Sequence, residues 1–255
     1  VMYADPSRSP HRLRGGGGGG GGLQMDHPCR VAVCPETAHI LVTDSSRNMV
    51  HRFSSDGGTL LRSFGSTGVG QGQFRGAWGI AVAPGTREVF VTDLNNHRVQ
   101  VFDEHGTFQR AFGSEGRHEG GLLMPCGLSM SPDGREVVVV DGGNNRLAVF
   151  EPATGGFMRN VRGQGLQASI DGADDVAVGP AGEIVVSCWK QNRVVELNAQ
   201  GRFVRAHTGT ETRLGGRGKL CVPSGVCFGN DGELYVAELG GSRVSVFAYG
   251  EVGGG

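Results

Sequence analysis

The chain has 255 residues, 38% of them apolar and 19% charged, which is enough apolar material for a folded core. Its 24 basic and 25 acidic residues give a formal net charge of −1, so the average electrostatic pull that drives nucleic-acid binding is missing. No stretch approaches the roughly 20 consecutive apolar residues of a membrane helix, and Cys29, Cys34, Cys126, Cys188, Cys221 and Cys227 form no CxxC pair, so they read as inert thiols of a reducing intracellular compartment.

A unit of about 48 residues recurs along the chain, and such a period decides architecture before any single residue does. Residues 1–14 read as a partial unit: Met2-Tyr3-Ala4-Asp5 matches the end of a second strand, and His11-Arg12-Leu13 the start of a third. A start inside a unit, with no initiator Met or signal peptide, marks the chain as a fragment of a longer product. Gly15–Gly22 is either a poly-glycine loop or an unassigned segment, because the interval from Asp5 to Asp44 is shorter than any later one. Five units follow, at 27–74, 75–123, 124–171, 172–220 and 221–252.

Each unit is written in strand-and-turn grammar. First comes a strand of alternating small and large residues, as in Gly79-Ile80-Ala81-Val82 and Gly127-Leu128-Ser129-Met130. A Gly-, Pro- or Asp-Gly-containing turn supplies hairpin chemistry. The second strand is continuously apolar, as in Val89-Phe90-Val91 and Val137 to Val140, the mark of a strand covered on both faces. It ends on an acid in most copies (Asp5, Asp44, Asp93, Asp141, Glu238), with Cys188 breaking the series. The third strand starts with Arg98, Arg146, Arg193 or Arg243. The fourth carries Arg62, Arg110, Arg159 or Arg205, a charge that suits an outer edge protected from stray pairing. The predicted fold is therefore all-β: a six-bladed β-propeller of four-stranded antiparallel blades, its ring closed by a blade shared between the chain ends.

The run Phe64 to Phe74, then Trp78-Gly79-Ile80-Ala81-Val82, then Val91-Thr92-Asp93-Leu94-Asn95-Asn96-His97-Arg98-Val99-Gln100-Val101-Phe102 resembles an NHL repeat. The resemblance is specific in that unit and the next. It weakens in the fourth unit, where Cys188-Trp189-Lys190 replaces the acidic turn, and is weakest at the N-terminus. It implies a six-bladed propeller, in agreement with the strand count.

Superposing the units places Cys29, Trp78, Cys126, Asp174 and Ser224 at one equivalent position, a ring around the mouth of the central channel. The acidic strand ends should open on the same face. Cys29, Cys126 and Asp174 have the chemistry of a metal site, but no His is equivalent to them, so no metal is assigned. The acids and the third-strand Arg have copies in most blades, which marks them as structural parts, each Arg paired with a carboxylate. His97, His105 and His118 lie in predicted turns and read as solvated. The fourth unit departs most from the others, and there Trp189 beside Lys190 is the best protein-contact candidate.

No catalytic residue and no cofactor follow from these patterns: there is no P-loop and no Gly-x-Ser-x-Gly elbow. The leading expectation is a non-catalytic scaffold that docks protein partners within a larger assembly, on the face carrying Cys29, Trp78, Cys126, Asp174, Ser224, Trp189 and Lys190. The alternatives are a metal-dependent propeller lyase or hydrolase and an RNA-binding propeller. Nucleic acid is disfavoured as a partner, and membrane insertion is not expected.

Overall fold

A computed structural model describes residues 25–163, 169–208, 219–229 and 232–248. The first blade is β1 (Pro28–Val33), β2 (Ile40–Asp44), β3 (Met49–Phe53) and β4 (Leu60–Phe64). A short parallel clasp, β5 (Ser66–Thr67) with β6 (Gln73–Phe74), leads to the second blade. That blade is β7 (Ala77–Val82), β8 (Val89–Asp93), β9 (Arg98–Phe102) and β10 (Phe108–Phe112). The clasp recurs as β11 (Ser114–Glu115) with β12 (Gly121–Leu122), before the third blade of β13 (Pro125–Met130), β14 (Val137–Asp141), β15 (Arg146–Phe150) and β16 (Phe157–Val161). The fourth blade is β17 (Ala173–Val178), β18 (Ile184–Cys188), β19 (Arg193–Leu197) and β20 (Phe203–His207). The fifth has three described strands, β21 (Pro223–Phe228), β22 (Glu233–Glu238) and β23 (Arg243–Ala248).

Every blade is an antiparallel meander paired in chain order. The innermost strands β1, β7, β13, β17 and β21 pack one against the next, which is the propeller arrangement. The described residues thus build five blades, not the six expected. The sixth was assigned to residues 1–14, which lie outside the described residues, as does Gly15–Gly22, and closure of the ring is not established. No helix among the described residues is long and apolar enough to cross a membrane.

The core lies between blades. Every residue of β2, β8, β14 and β18 is buried, as expected for apolar strands covered on both faces. Phenylalanines link neighbours: Phe64 meets Phe102 at 4.9 Å between ring centroids, and Phe112 meets Phe150 at 4.9 Å. In the fifth blade β22 alternates instead, with Leu234, Val236 and Glu238 buried and Ala237 exposed.

Polar groups tie blade to blade as well. Thr43 Oγ1 donates to Trp78 O at 2.6 Å, Thr92 Oγ1 to Cys126 O at 2.6 Å, and Ser187 Oγ to Ser224 O at 2.5 Å. Each hydroxyl sits one residue before the end of a second strand and satisfies a carbonyl on the next innermost strand, which a buried backbone requires. Asn48 and Asn192, both in the left-handed region, accept from Gly76 N and Val222 N of the following blade. His97 does the same for Met124 N at 3.0 Å, so it is an interblade cap and not the solvated histidine expected from its turn.

Three of the four outer-strand Arg also depart from expectation, while Arg62 is exposed on β4. Arg110 reaches both oxygens of Glu88, Arg159 both oxygens of Glu136, and Arg205 Nε lies 2.7 Å from Glu196 Oε2. These charges are consumed inside their own blades, because a guanidinium fork matches a carboxylate so well. A register shift where each fourth strand meets the third gives the edges their protection.

Candidate functional site

The register Pro28↔Asp44, Ala77↔Asp93, Pro125↔Asp141, Ala173↔Cys188 and Pro223↔Glu238 puts the start of each innermost strand beside the end of each second strand. Both sets therefore open on one face. The pairing slips just after the first residue of every innermost strand, and a bulge of this kind re-aims the side chains it carries. Cys29, Trp78, Cys126, Asp174 and Ser224 are the second residue of their strands, so all five occupy the same bulged position.

The acidic strand ends are structural. Asp44 accepts from the backbone N–H of Asp26 and His27, Asp93 from that of Arg75, Asp141 from Leu123, and Glu238 from Cys221. Burial works against ionisation of Asp44, but the backbone donors of Asp26, His27 and Arg47 outweigh it and hold the carboxyl below its ordinary range. Three of these acids also bind the Arg of their own third strand: Arg98 Nε lies 2.9 Å from Asp93, Arg146 Nε 2.6 Å from Asp141 and Arg243 Nε 2.8 Å from Glu238. The fourth blade has Cys188 there, and Arg193 turns to Gln191 Oε1 and Ser169 O, each at 2.7 Å.

The channel breaks the symmetry one residue further on. The third position of the innermost strand is Gly79, Gly127 and Gly225 in three blades, but Arg30 in the first and Asp175 in the fourth. Glycine is needed at Gly79, because an added Cβ would lie 2.4 Å from Cys126 O. Arg30 reaches from the first blade to the fourth, placing Nη2 2.7 Å from Asp174 Oδ2 and Nε 3.3 Å from Asp175 Oδ2. The Trp78 ring lies 5.8 Å from the guanidinium carbon, within range of a cation–π contact. Ser224 Oγ donates to Asp174 Oδ2 at 2.6 Å, and Val226 N to Asp175 Oδ2 at 3.3 Å.

Burial dominates the titration of Asp175 and Cys126. It pushes Asp175 up to about 6, with Arg30 opposing the shift and Asp174 adding to it. Burial pushes the Cys126 thiol up to about 12, aided by the Asp174 carboxylate. A thiolate is what metal binding or nucleophilic attack requires, and Cys126 is held away from that form. Cys29 does not join Cys126 and Asp174. Its sulfur bonds Ser45 Oγ at 3.1 Å and lies 3.4 Å from His27 Nδ1. Among the described residues no three His, Cys, Asp or Glu side chains are grouped to hold a metal ion.

The structure thus brings Trp78, Asp174 and Ser224 together around Arg30, with Cys126 beside them. Arg30 was not among the sequence candidates. The signal for it was the loss of the recurring glycine at just two units. Trp189 and Lys190 stand apart on the turn that follows β18. Trp189 is 46% exposed, and Lys190 Nζ lies 5.7 Å from its ring and 3.4 Å from Asp171. Leu239, at the equivalent turn of the fifth blade, is 70% exposed. An open depression of about 560 Å³ lies between the first and second blades, lined by Ser46, Arg75, Trp78 and Leu94 among others.

The family model of the NHL repeat matches residues 74–102 and 220–247. No curated protein sequence matches the chain. Among solved structures, a catalytically inactive virginiamycin B lyase from Staphylococcus aureus with quinupristin superposes with a TM-score of 0.62 at 15% identity, over 89% of this chain and 69% of that one. A nidogen/laminin complex gives 0.57 at 22% identity, over 74% and 68%. Hydrazine synthase of Kuenenia stuttgartiensis gives 0.57 at 16% identity, over 93% and 59%. At these identities the likeness is one of fold, shared by enzymes and by a protein–protein complex alike.

Proposed function

Starting from a propeller whose second and fifth units are NHL repeats, we propose that the chain is a non-catalytic docking module that binds protein partners as part of a larger assembly. The observation that carries this reading is the turn face. Trp189 and Leu239 occupy equivalent turns there in neighbouring blades and are exposed, and Met124, 45% exposed, precedes β13 on the same face. Aromatic and aliphatic anchors of this kind dominate interface energies. The carboxylates that a metal-dependent lyase or hydrolase would use at the channel are engaged by Arg30. Arg98, Arg146 and Arg243 are each paired with an acid, which weakens any basic face for RNA.

The test compares partners crosslinked to the wild-type chain and to the double variant Trp189→Ser, Leu239→Ser, quantified by mass spectrometry. At least one partner should fall by about tenfold or more, the usual weight of two interface anchors. The control Met158→Ser, Val204→Ser on the exposed outer strands should leave the set unchanged. Equal partner sets for wild type and the turn-face variant would refute the reading.

The same reading includes the closed ring. A sixth blade made in part by residues 1–14 would complete the channel mouth and lie between β1 and the fifth blade. The exposed Ala237 and Val244 of the fifth blade support this. Deletion of residues 1–14 should then lower the thermal midpoint measurably. An unchanged midpoint would remove this segment from the ring.

A further inference from the structure

The cluster at the channel mouth has the parts of a cation receptor, and its present occupant belongs to the chain itself. Two carboxylates face one guanidinium, so acid is in excess. Asp174 and Asp175 are held in place from the far side by Ser224 Oγ and Val226 N of β21, so their orientation does not depend on Arg30 alone. Trp78 supplies a flat aromatic face. A fixed acceptor set thus meets a donor delivered from another blade. The fit of Arg30 is also incomplete. Its Nε is buried with no acceptor in hydrogen-bonding geometry among the described residues, although Asp175 lies within ion-pair distance.

We propose that this channel mouth is a guanidinium-binding site that the chain closes with its own Arg30, and that an arginine side chain of a protein partner occupies it when Arg30 is displaced. The second half rests on the docking reading above; the first half does not. A guanidinium suits the site better than an ammonium, because it is planar, stacks on an aromatic face and presents a fork of donors to two carboxylates. Arg30 then acts as an internal competitor that keeps weak basic ligands out.

Arg30→Ala removes the competitor and leaves the acceptors. The probes are methylguanidine and methylammonium at millimolar concentration, and a short peptide carrying one arginine, each titrated into the isolated chain with thermal midpoint and calorimetry as readouts. Methylguanidine should raise the midpoint of Arg30→Ala saturably and leave wild type unmoved. Methylammonium should bind about tenfold more weakly, having lost the forked pairing. Adding Asp174→Asn should abolish the response. An equal response to both cations, or none in Arg30→Ala, overturns the site. If Arg30→Ala is insoluble alone, refolding yield becomes the readout: recovery with methylguanidine but not methylammonium supports the site, and recovery with neither overturns it. The peptide should bind Arg30→Ala about tenfold more tightly than wild type, the discrimination expected when a buried ionic partner no longer competes. Methylguanidine binding without that preference overturns the partner half alone. None of these readouts uses a partner protein, so failure of the docking reading and failure of the site remain distinguishable.

Discussion

The third and fourth blades have the same strands in the same order, yet they spend their acids differently. In the third blade Asp141 closes the second strand. It caps Leu123 N and grips Arg146, and both charged side chains are essentially inaccessible. In the fourth blade Cys188 occupies that position, and Arg193 makes do with an amide oxygen and a backbone carbonyl. Two acids of the fourth blade lie instead on its innermost strand, Asp174 and Asp175, where they face Arg30. A repeat can therefore carry the same kind of charge as an internal brace or as part of a site. What decides is whether the acid lies at the strand end, inside a complete donor set, or at the bulge, where its partner must come from another blade.

The strongest test of this contrast removes the brace. Asp141→Ala leaves Arg146 buried beside three backbone carbonyls, those of Arg117, His118 and Gly121, but without its carboxylate. Breaking a buried pair by deleting one partner costs about 3–5 kcal/mol. Cys188→Ala deletes only a buried sulfur, at about 1 kcal/mol. Urea denaturation of the two variants should reproduce that ordering. A loss of under about 1 kcal/mol for Asp141→Ala would mean that the brace is not what distinguishes the third blade.

Much of this was legible in the residues and some was not. The four-strand grammar and the acid-then-Arg motif repeat, so each copy corroborates the others, and the pairing of Arg98 with Asp93 could be expected before any geometry. The ring of Cys29, Trp78, Cys126, Asp174 and Ser224 was found by counting back from a glycine. That rule hid the informative cluster, because the glycine itself is replaced by Arg30 and Asp175 in the two units whose innermost strands are joined by an ion pair. The interblade bonds of Thr43, Thr92 and Ser187 were also missed: a hydroxyl inside an apolar strand reads as tolerated until the neighbouring carbonyl is seen. His97 was misjudged for a related reason, since turn position says nothing about which blade comes next. Arg110 and Arg159 were assigned to edge protection because their partners, Glu88 and Glu136, sit more than twenty residues away in sequence, and Arg205 because its partner Glu196 lies on the neighbouring strand.

The smaller effect concerns the pH response of the channel, and it separates the two uses of acid most cleanly. Asp44 and Glu238, inside their donor sets, are held below their ordinary carboxyl range, although burial opposes this in both. Asp175 is displaced the other way, from 3.8 up to about 6, because burial outweighs its pairing with Arg30. The signs are therefore opposite. A depressed acid contributes stability above its unfolded value and loses it as pH falls through the folded one. A raised acid favours the fold when protonated, so its contribution is complete below about pH 4 and is lost as pH rises through about 6. Asp175 alone should thus lower stability by on the order of 2–3 kcal/mol between pH 4 and pH 7, while the strand-end acids push the other way at lower pH. Asp175→Asn removes the titration and keeps the volume. Its stability should exceed the wild-type trend progressively as pH rises from 4 to 7, read as the difference between two denaturation series. Parallel series for wild type and Asp175→Asn across that window would show that the channel acid is braced like the others, and the contrast between the two blades would lose its electrostatic half.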